Sequence, residues 1–181
     1  IFRVIETVQP DELYHLASNS FVSYSMDVGT ESFKTNFELS FSIFEAVKKF
    51  APHCKIYFAG SSEMFGNPKI SPQNENTIFA PRSMYGVMKV ACYNLARIYK
   101  HSHNVFVCTG FLYNHESPRR SEEFVTRKIT KGVAKIYLGL SDNVQIGNLN
   151  AVRDWGWAPD YVYAMHLMLQ ASVPRDYVIA T

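Results

Sequence analysis

The sequence predicts an α/β fold built on a mostly parallel, doubly wound sheet. Several stretches place apolar residues at three- and four-residue steps, as amphipathic helices do. Short apolar runs lie between them. One of these, VFVCTGF at residues 105–111, is nearly continuous, as a strand covered on both faces must be. Strands alternating with helices in this way imply parallel strands with helices on both faces.

The elements follow in order. Residues 1–8 read as a helix tail, stopped by Gln9, Pro10 and Asp11. Residues 12–18 (ELYHLAS) read as a short strand. Over residues 30–50, Phe33, Phe37, Phe41, Phe44 and Val47 mark the inward face of a helix. Residues 55–59 (KIYFA) form a second strand, and Gly60, Ser61, Ser62 and Glu63 leave its end. A loop rich in Pro, Asn and Ser (66–82) leads to Ser83, the N-cap of a helix reaching about residue 100. Residues 121–138 read as a helix with Val125, Ile129, Val133 and Ile136 inward, and with Glu122 and Glu123 where the helix dipole favours acids. Residues 144–146 read as a short strand. Pro159 opens a helix with Val162, Met165 and Leu169 inward, the Met165/Met168 spacing being that of a core, and residues 177–180 close the chain as a strand. No repeat or linker divides residues 1–181.

Composition narrows the function classes. With 181 residues and 47% hydrophobic, the chain can build a core and is not a disordered segment. Its 18 basic against 16 acidic residues leave no excess for phosphate-backbone binding, so no nucleic-acid partner is expected. No apolar run approaches the roughly 20 residues of a membrane span, and no signal peptide opens the chain. Cys54, Cys92 and Cys108 are odd in number and scattered, which suits neither a disulfide framework nor a zinc site and fits the cytoplasm. No metal is expected. A first residue of Ile rather than Met reads as an excerpt of a longer protein.

Ligands of such sheets bind beyond the carboxyl ends of the strands. That directs attention to residues 17–20, 60–63, 112–120 and 148–154. Tyr85 and Lys89, four apart on a helix, share one face. An ammonium about 4 Å from a phenol, at an effective dielectric near 20, favours the phenolate by roughly 4 kcal/mol. That would make Tyr85 a usable base near neutral pH. With 11 tyrosines and 10 lysines in 181 residues, about 0.6 such pairs arise by chance, so its weight comes from its neighbours. If the chain stays extended after residue 59, Ser61 and Glu63 face one ligand together, a hydroxyl beside a proton-moving carboxylate. The alternative is a strand-ending serine and a solvated glutamate. Asn114, His115, Arg119 and Arg120 follow the most apolar strand, where paired arginines suit phosphate capture or simply line a surface loop. Arg153 and Trp155 set a cation beside an aromatic on another strand exit. His101 and His103 read as a solvated helix end.

Taken together, these residues resemble the extended short-chain dehydrogenase/reductase superfamily and, within it, the GDP-mannose 4,6-dehydratase family. Ser61, YGVMK (85–89), LASNS (16–20) and Asn36 signal the superfamily. GSSEMFG (60–66), PRSMYG (81–86), FLYNHESPRR (111–120), FVTRKI (124–129), GNLNAVRDWG (147–156) and DYVIAT (176–181) signal the narrower family. The resemblance implies a Rossmann-like sheet lacking its first strands, with residues 1–113 mainly dinucleotide-binding and 114–181 contributing to a smaller substrate-binding lobe.

It also implies roles. Tyr85 would take the C4 hydroxyl proton, Lys89 would hold the cofactor ribose and lower the tyrosine pKa, and Ser61 would bond the C4 oxygen. Glu63 would remove the C5 proton and assist loss of the C6 hydroxyl. Leu16, Ala17, Ser18, Asn19, Ser20, Lys89, His115 and Arg120 would contact the cofactor, NADP with NAD as the other choice. Asn114, Lys128 and Arg153 would hold GDP-mannose. A homodimer or homotetramer is implied. Met84, Met88, Trp157 and Glu31 depart from the usual pattern, and no glycine-rich phosphate loop is present among the residues. A sister epimerase or 4-ketoreductase would share Tyr85 and Lys89 without needing Glu63. A catalytically silent domain would bind no dinucleotide.

Overall fold

The computed structural model describes residues 1–18 and 29–181. Helix α1 (Phe2–Val8) precedes strand β1 (Glu12–His15), helix α2 (Gly29–Phe50) and strand β2 (Lys55–Ala59). A 3-10 turn (Ser62–Met64) leads through the long loop to α3 (Met84–Ser102), then β3 (Val107–Leu112) and β4 (Asn114–Glu116). Helix α4 (Val125–Tyr137), β5 (Trp155–Trp157), α5 (Ala158–Gln170) and β6 (Tyr177–Ile179) complete the chain. The main sheet has the order β1-β2-β3-β6, every pair parallel, with Tyr57 opposite Cys108 and Phe111 opposite Val178.

Alternation along β2 assigns the two faces. Ile56 and Phe58 join Phe44 and Val47 of α2 and Met88, Cys92 and Ala96 of α3 in one cluster. Tyr57 and Ala59 point the other way, toward Tyr161, Met165, Met168 and Leu169 of α5. Strand β3 is buried along its whole length, so its apolar run is explained by cover on both sides. Lys100 at the end of α3 reaches the Asp176 carboxylate at 2.8 Å, and the same carboxylate accepts from the Thr109 backbone N–H at 2.9 Å. This pins helix, central strand and the lead-in to β6 together.

Several expectations are corrected. Strand β1 ends at His15 rather than residue 18, because Leu16 N–H turns back onto the Tyr14 carbonyl. On α2, Phe44 and Val47 are buried as expected and Phe37 packs against them, but Phe41 is exposed and the polar Asn36 and Ser40 take the inward face. The side chain of Phe33, like residues Asn19 and Ser20, lies outside the described residues. Helix α4 starts at Val125, since residues 121–124 form a turn closed by Phe124 N–H on Ser121 O. None of its residues is buried: Val125, Val133 and Ile136 are exposed. Residues 144–146 form no strand. Val144 is instead drawn against α4 at Gly132, where a Cβ would sit 2.3 Å from its methyl group. On α5 the inward positions are Tyr161, Met165, Met168 and Leu169, and Val162 is exposed. A two-stranded parallel sheet, β4 with β5, was not foreseen.

Candidate active site

The end of β2 approaches β3 so closely that a Cβ on Gly60 would lie 2.9 Å from the Gly110 carbonyl oxygen. The backbone is extended at Ser61 (φ −152°, ψ 147°) and then coils, with Ser61 Oγ accepting from Glu63 N–H at 3.2 Å. The extended run expected over 61–63 is therefore replaced by a capped 3-10 turn. The turn separates the side chains differently: Ser61 and Glu63 line one cavity, while Ser62 lines a neighbouring one.

Ser83 caps α3 by accepting from Gly86 N–H at 3.1 Å. Gly86 then packs backbone to backbone on the turn, since a Cβ there would meet the Glu63 carbonyl oxygen at 2.7 Å and Pro81 Cβ at 2.9 Å. This contact brings the first turn of α3, and with it Tyr85, against Glu63. One helical turn on, Lys89 is buried and donates from Nζ to the Ala59 carbonyl at 2.8 Å. The four groups read from the sequence thus border one cavity of about 310 Å³.

Charge in this cavity differs from the expectation. Burial pushes the Tyr85 phenol up to about 12. The Ser61 hydroxyl opposes that shift, the Glu63 carboxylate adds to it, and the Arg120 guanidinium opposes it. Burial also lowers Lys89 to about 8. The ammonium sits over the rings of Phe58 and Tyr85, 5.6 Å from the latter's centroid, with a proton committed to Ala59 O. Its charge is spent on a carbonyl and a ring face rather than on the phenol oxygen, so at rest Tyr85 is a neutral phenol.

Of the other residues singled out, Leu16, Ser18, Asn114, His115 and Arg120 line the same cavity. His115 Nδ1 meets the Tyr113 carbonyl oxygen at 2.8 Å, and its ring stacks on Tyr161 at 4.8 Å. The arginine pair separates. The turn of residues 117–120 leaves Arg119 exposed and folds Arg120 inward, over the Phe124 ring at 3.5 Å and 3.2 Å from Glu116 Oε2. Ala17 borders a separate apolar hollow beside α1. Lys128 is exposed on α4 and lines neither this cavity nor its neighbour, so it is not brought to the other groups. Arg153 lines the neighbouring cavity, about 530 Å³, which shares Glu63, Tyr113 and Asn114 with the first. Tyr113, Phe124 and Arg82 also line these cavities, and the sequence reading gave them no role although each lies in a stretch that carries the resemblance.

Among the described residues no three His, Cys, Asp or Glu side chains could hold a metal ion, and no helix is long and apolar enough to cross a membrane.

The chain matches the family described as GDP-mannose 4,6 dehydratase over residues 1–181. It is 42% identical to GDP-mannose 4,6 dehydratase 2 of Caenorhabditis elegans over 183 aligned residues, covering 100% of this chain and 48% of that protein. It is 43% identical to the Homo sapiens GDP-mannose 4,6 dehydratase, covering 100% and 49%. The chain thus spans about half the length of the curated relatives it matches. The fold is similar to that of RMD from Pseudomonas aeruginosa complexed with NADPH, with a TM-score of 0.90 at 22% identity over 95% of this chain and 60% of that one.

Proposed function

The chain belongs to the GDP-mannose 4,6-dehydratase family, and from that premise we propose that its site converts GDP-mannose to GDP-4-keto-6-deoxymannose and water. The observation that carries this reading is Glu63. Oxidation or epimerisation at C4 needs one base, whereas elimination across C5 and C6 needs a second. Glu63 lines the cavity of Tyr85 and Lys89, and its carboxylate acts on the acidity of the phenol.

Residues at the cavity fit a nicotinamide dinucleotide, NADP by family analogy with NAD as the alternative. Ser18 Oγ is buried with no hydrogen-bond partner among the described residues, and it shares the cavity with Lys89, His115 and the apolar Leu16, Leu112 and Met165. When bound, that group supplies a hydride acceptor that later returns the hydride, so none is lost overall. Lys89 and Ser18 would hold it.

The chain's own groups do the proton work. Tyr85 takes the C4 hydroxyl proton, and Ser61 donates to the C4 oxygen. Because the resting phenol is protonated, it must be ionised as the site fills. Arg120, whose guanidinium already opposes the rise, is a cation this chain provides for that. Once C4 is a ketone the C5 hydrogen is acidic. Glu63 removes it and returns that proton to the departing C6 hydroxyl, which leaves as water, and the proton that Tyr85 took from C4 is given back at C5 when C6 receives the returned hydride.

Incubating the protein with GDP-mannose and NADP should yield a product lighter by one water with no net NADPH. Stoichiometric NADPH would overturn the reading. Glu63→Gln should cut turnover by roughly 100- to 10,000-fold while still allowing C4 oxidation. An unimpaired Glu63→Gln enzyme would remove Glu63 from the mechanism.

A further inference from the structure

Neighbouring residues of β4 border different spaces. His115 lines the cavity of Tyr85, whereas Glu116 does not. Glu116 lines a separate groove of about 560 Å³, with Thr126 and Arg127 of α4 and Trp155 and Trp157 of β5. The turn of residues 117–120 then folds back and returns Arg120 to the Tyr85 cavity.

Arg120 is held from two sides. Its guanidinium lies over the Phe124 ring, 3.5 Å from the centroid, and its Nε is 3.2 Å from Glu116 Oε2. Nε makes no hydrogen bond among the described residues, so the link to Glu116 is one of charge. The same Oε2 accepts from the Thr126 hydroxyl in the first turn of α4, which fixes the carboxylate at its own end. The two side chains are only 24% and 16% exposed, so little water screens the pair.

The groups facing the phenol are few. Ser61 and Glu63 come from the turn after β2, Lys89 from the phenol's own helix, and Arg120 from the turn after β4. His115 of β4 borders the same space with its ring stacked on Tyr161. Lys89 has a proton committed to the Ala59 carbonyl. Tyr85 must take the C4 proton and later give it back, so the field on it has two limits. With too little positive charge the buried phenol stays protonated. With too much, the phenolate is slow to return its proton. A guanidinium paired with a carboxylate presents less charge to a third group than an unpaired one does.

We propose that Glu116 is a positioning residue for the dehydration: anchored by Thr126, it holds the Arg120 guanidinium in the Tyr85 cavity and tempers the charge presented there. Glu116 acts through Arg120 and does not itself border the space where substrate reacts. The proposal rests on the functional reading above for the task of Tyr85, but the hold is tested without turnover.

Glu116→Gln keeps the side-chain length and an oxygen for Thr126 while removing the charge. In the whole protein, phenylglyoxal modification of Arg120, followed by peptide mass mapping, should then speed up by roughly 5-fold. The exposed Arg119 is the internal control and should react as before. With GDP-mannose and NADP, the Tyr85 limb of the kcat–pH profile should move down by about 0.5 to 1 pH unit, since the uncovered guanidinium favours the phenolate. KM for GDP-mannose should hardly change. Arg120→Gln should move the limb up, and adding Glu116→Gln to it should move the limb no further. Circular dichroism checks that each variant is folded. Unchanged modification of Arg120 overturns the hold and leaves the dehydratase reading intact. Faster modification with an unmoved limb overturns the positioning role, as does a limb that still moves in the Arg120→Gln background. A parent protein that does not dehydrate GDP-mannose overturns the reaction and the positioning role together, while faster modification of Arg120 still upholds the hold.

Discussion

Helices α3 and α4 are both amphipathic, yet they end in opposite surroundings. Helix α3 buries Tyr85, Met88, Lys89, Cys92, Ala96 and Tyr99 against the sheet. Helix α4, with its apolar residues just as regularly spaced, buries none. Periodicity reports which side of a helix is apolar. Whether anything covers that side is a property of the rest of the fold. The electrostatic consequence follows the same division. Around α3, desolvation moves Tyr85, Lys89 and His15 far from their usual ranges. On α4 the charges pair in water instead, as Lys131 does with Glu122. The groups with shifted protons are those on the covered side.

The contrast can be tested from its strongest point downward. Asp176→Ala removes the carboxylate that holds Lys100 and the Thr109 N–H, leaving a largely buried ammonium uncompensated. Urea unfolding should show a loss of about 3–5 kcal/mol, and a loss under 1 kcal/mol would mean that this half is not held as described.

His15 comes next. Its Nε2 meets Ser40 Oγ at 2.8 Å, and burial, aided by Lys89, lowers it to about 4 from an ordinary 6.5. A depressed histidine is neutral when folded and takes up a proton on unfolding. Its contribution is present above about pH 6.5 and lost as pH falls toward 4. Its part of the stability slope in that window amounts to about 3 kcal/mol at most. His15→Gln should flatten the pH dependence of unfolding between those values. An unchanged slope would place the imidazole in water.

The smallest effect belongs to α4. Val133 is 57% exposed, so Val133→Gln should alter stability by no more than about 0.5 kcal/mol. A loss above 1 kcal/mol would show that this face is covered and would erase the difference between the helices.

Much of the fold was legible because local rules act within a few residues. Ser83 caps α3 where an N-cap was read, β2 runs over residues 55–59 as its pattern predicts, and β3 is as buried as its composition requires. The early end of β1 and the pairing of β4 with β5 were not legible. The first comes from a backbone turn of Leu16 onto Tyr14 that no residue type marks, and the second from backbone groups that meet across space. Ser61, Glu63, Tyr85 and Lys89, read from motif and position, line one cavity. Lys128 was placed by resemblance alone, and its helix turns it to solvent. Arg82 lies in PRSMYG yet was given no role, and the cavity it borders, with lining that runs from residue 62 to residue 154, exists only in the folded chain.

By itself, then, the order of residues determined the alternation of strands and helices, the buried strand and the family, since capping, periodicity and motif spacing are local. Tertiary structure alone decided that Ser61, Glu63, Tyr85 and Lys89 line one cavity and that burial raises the phenol's pKa. Those outcomes depend on close backbone contact at Gly86 and on removal of water from the cavity, and neither is encoded at any single position.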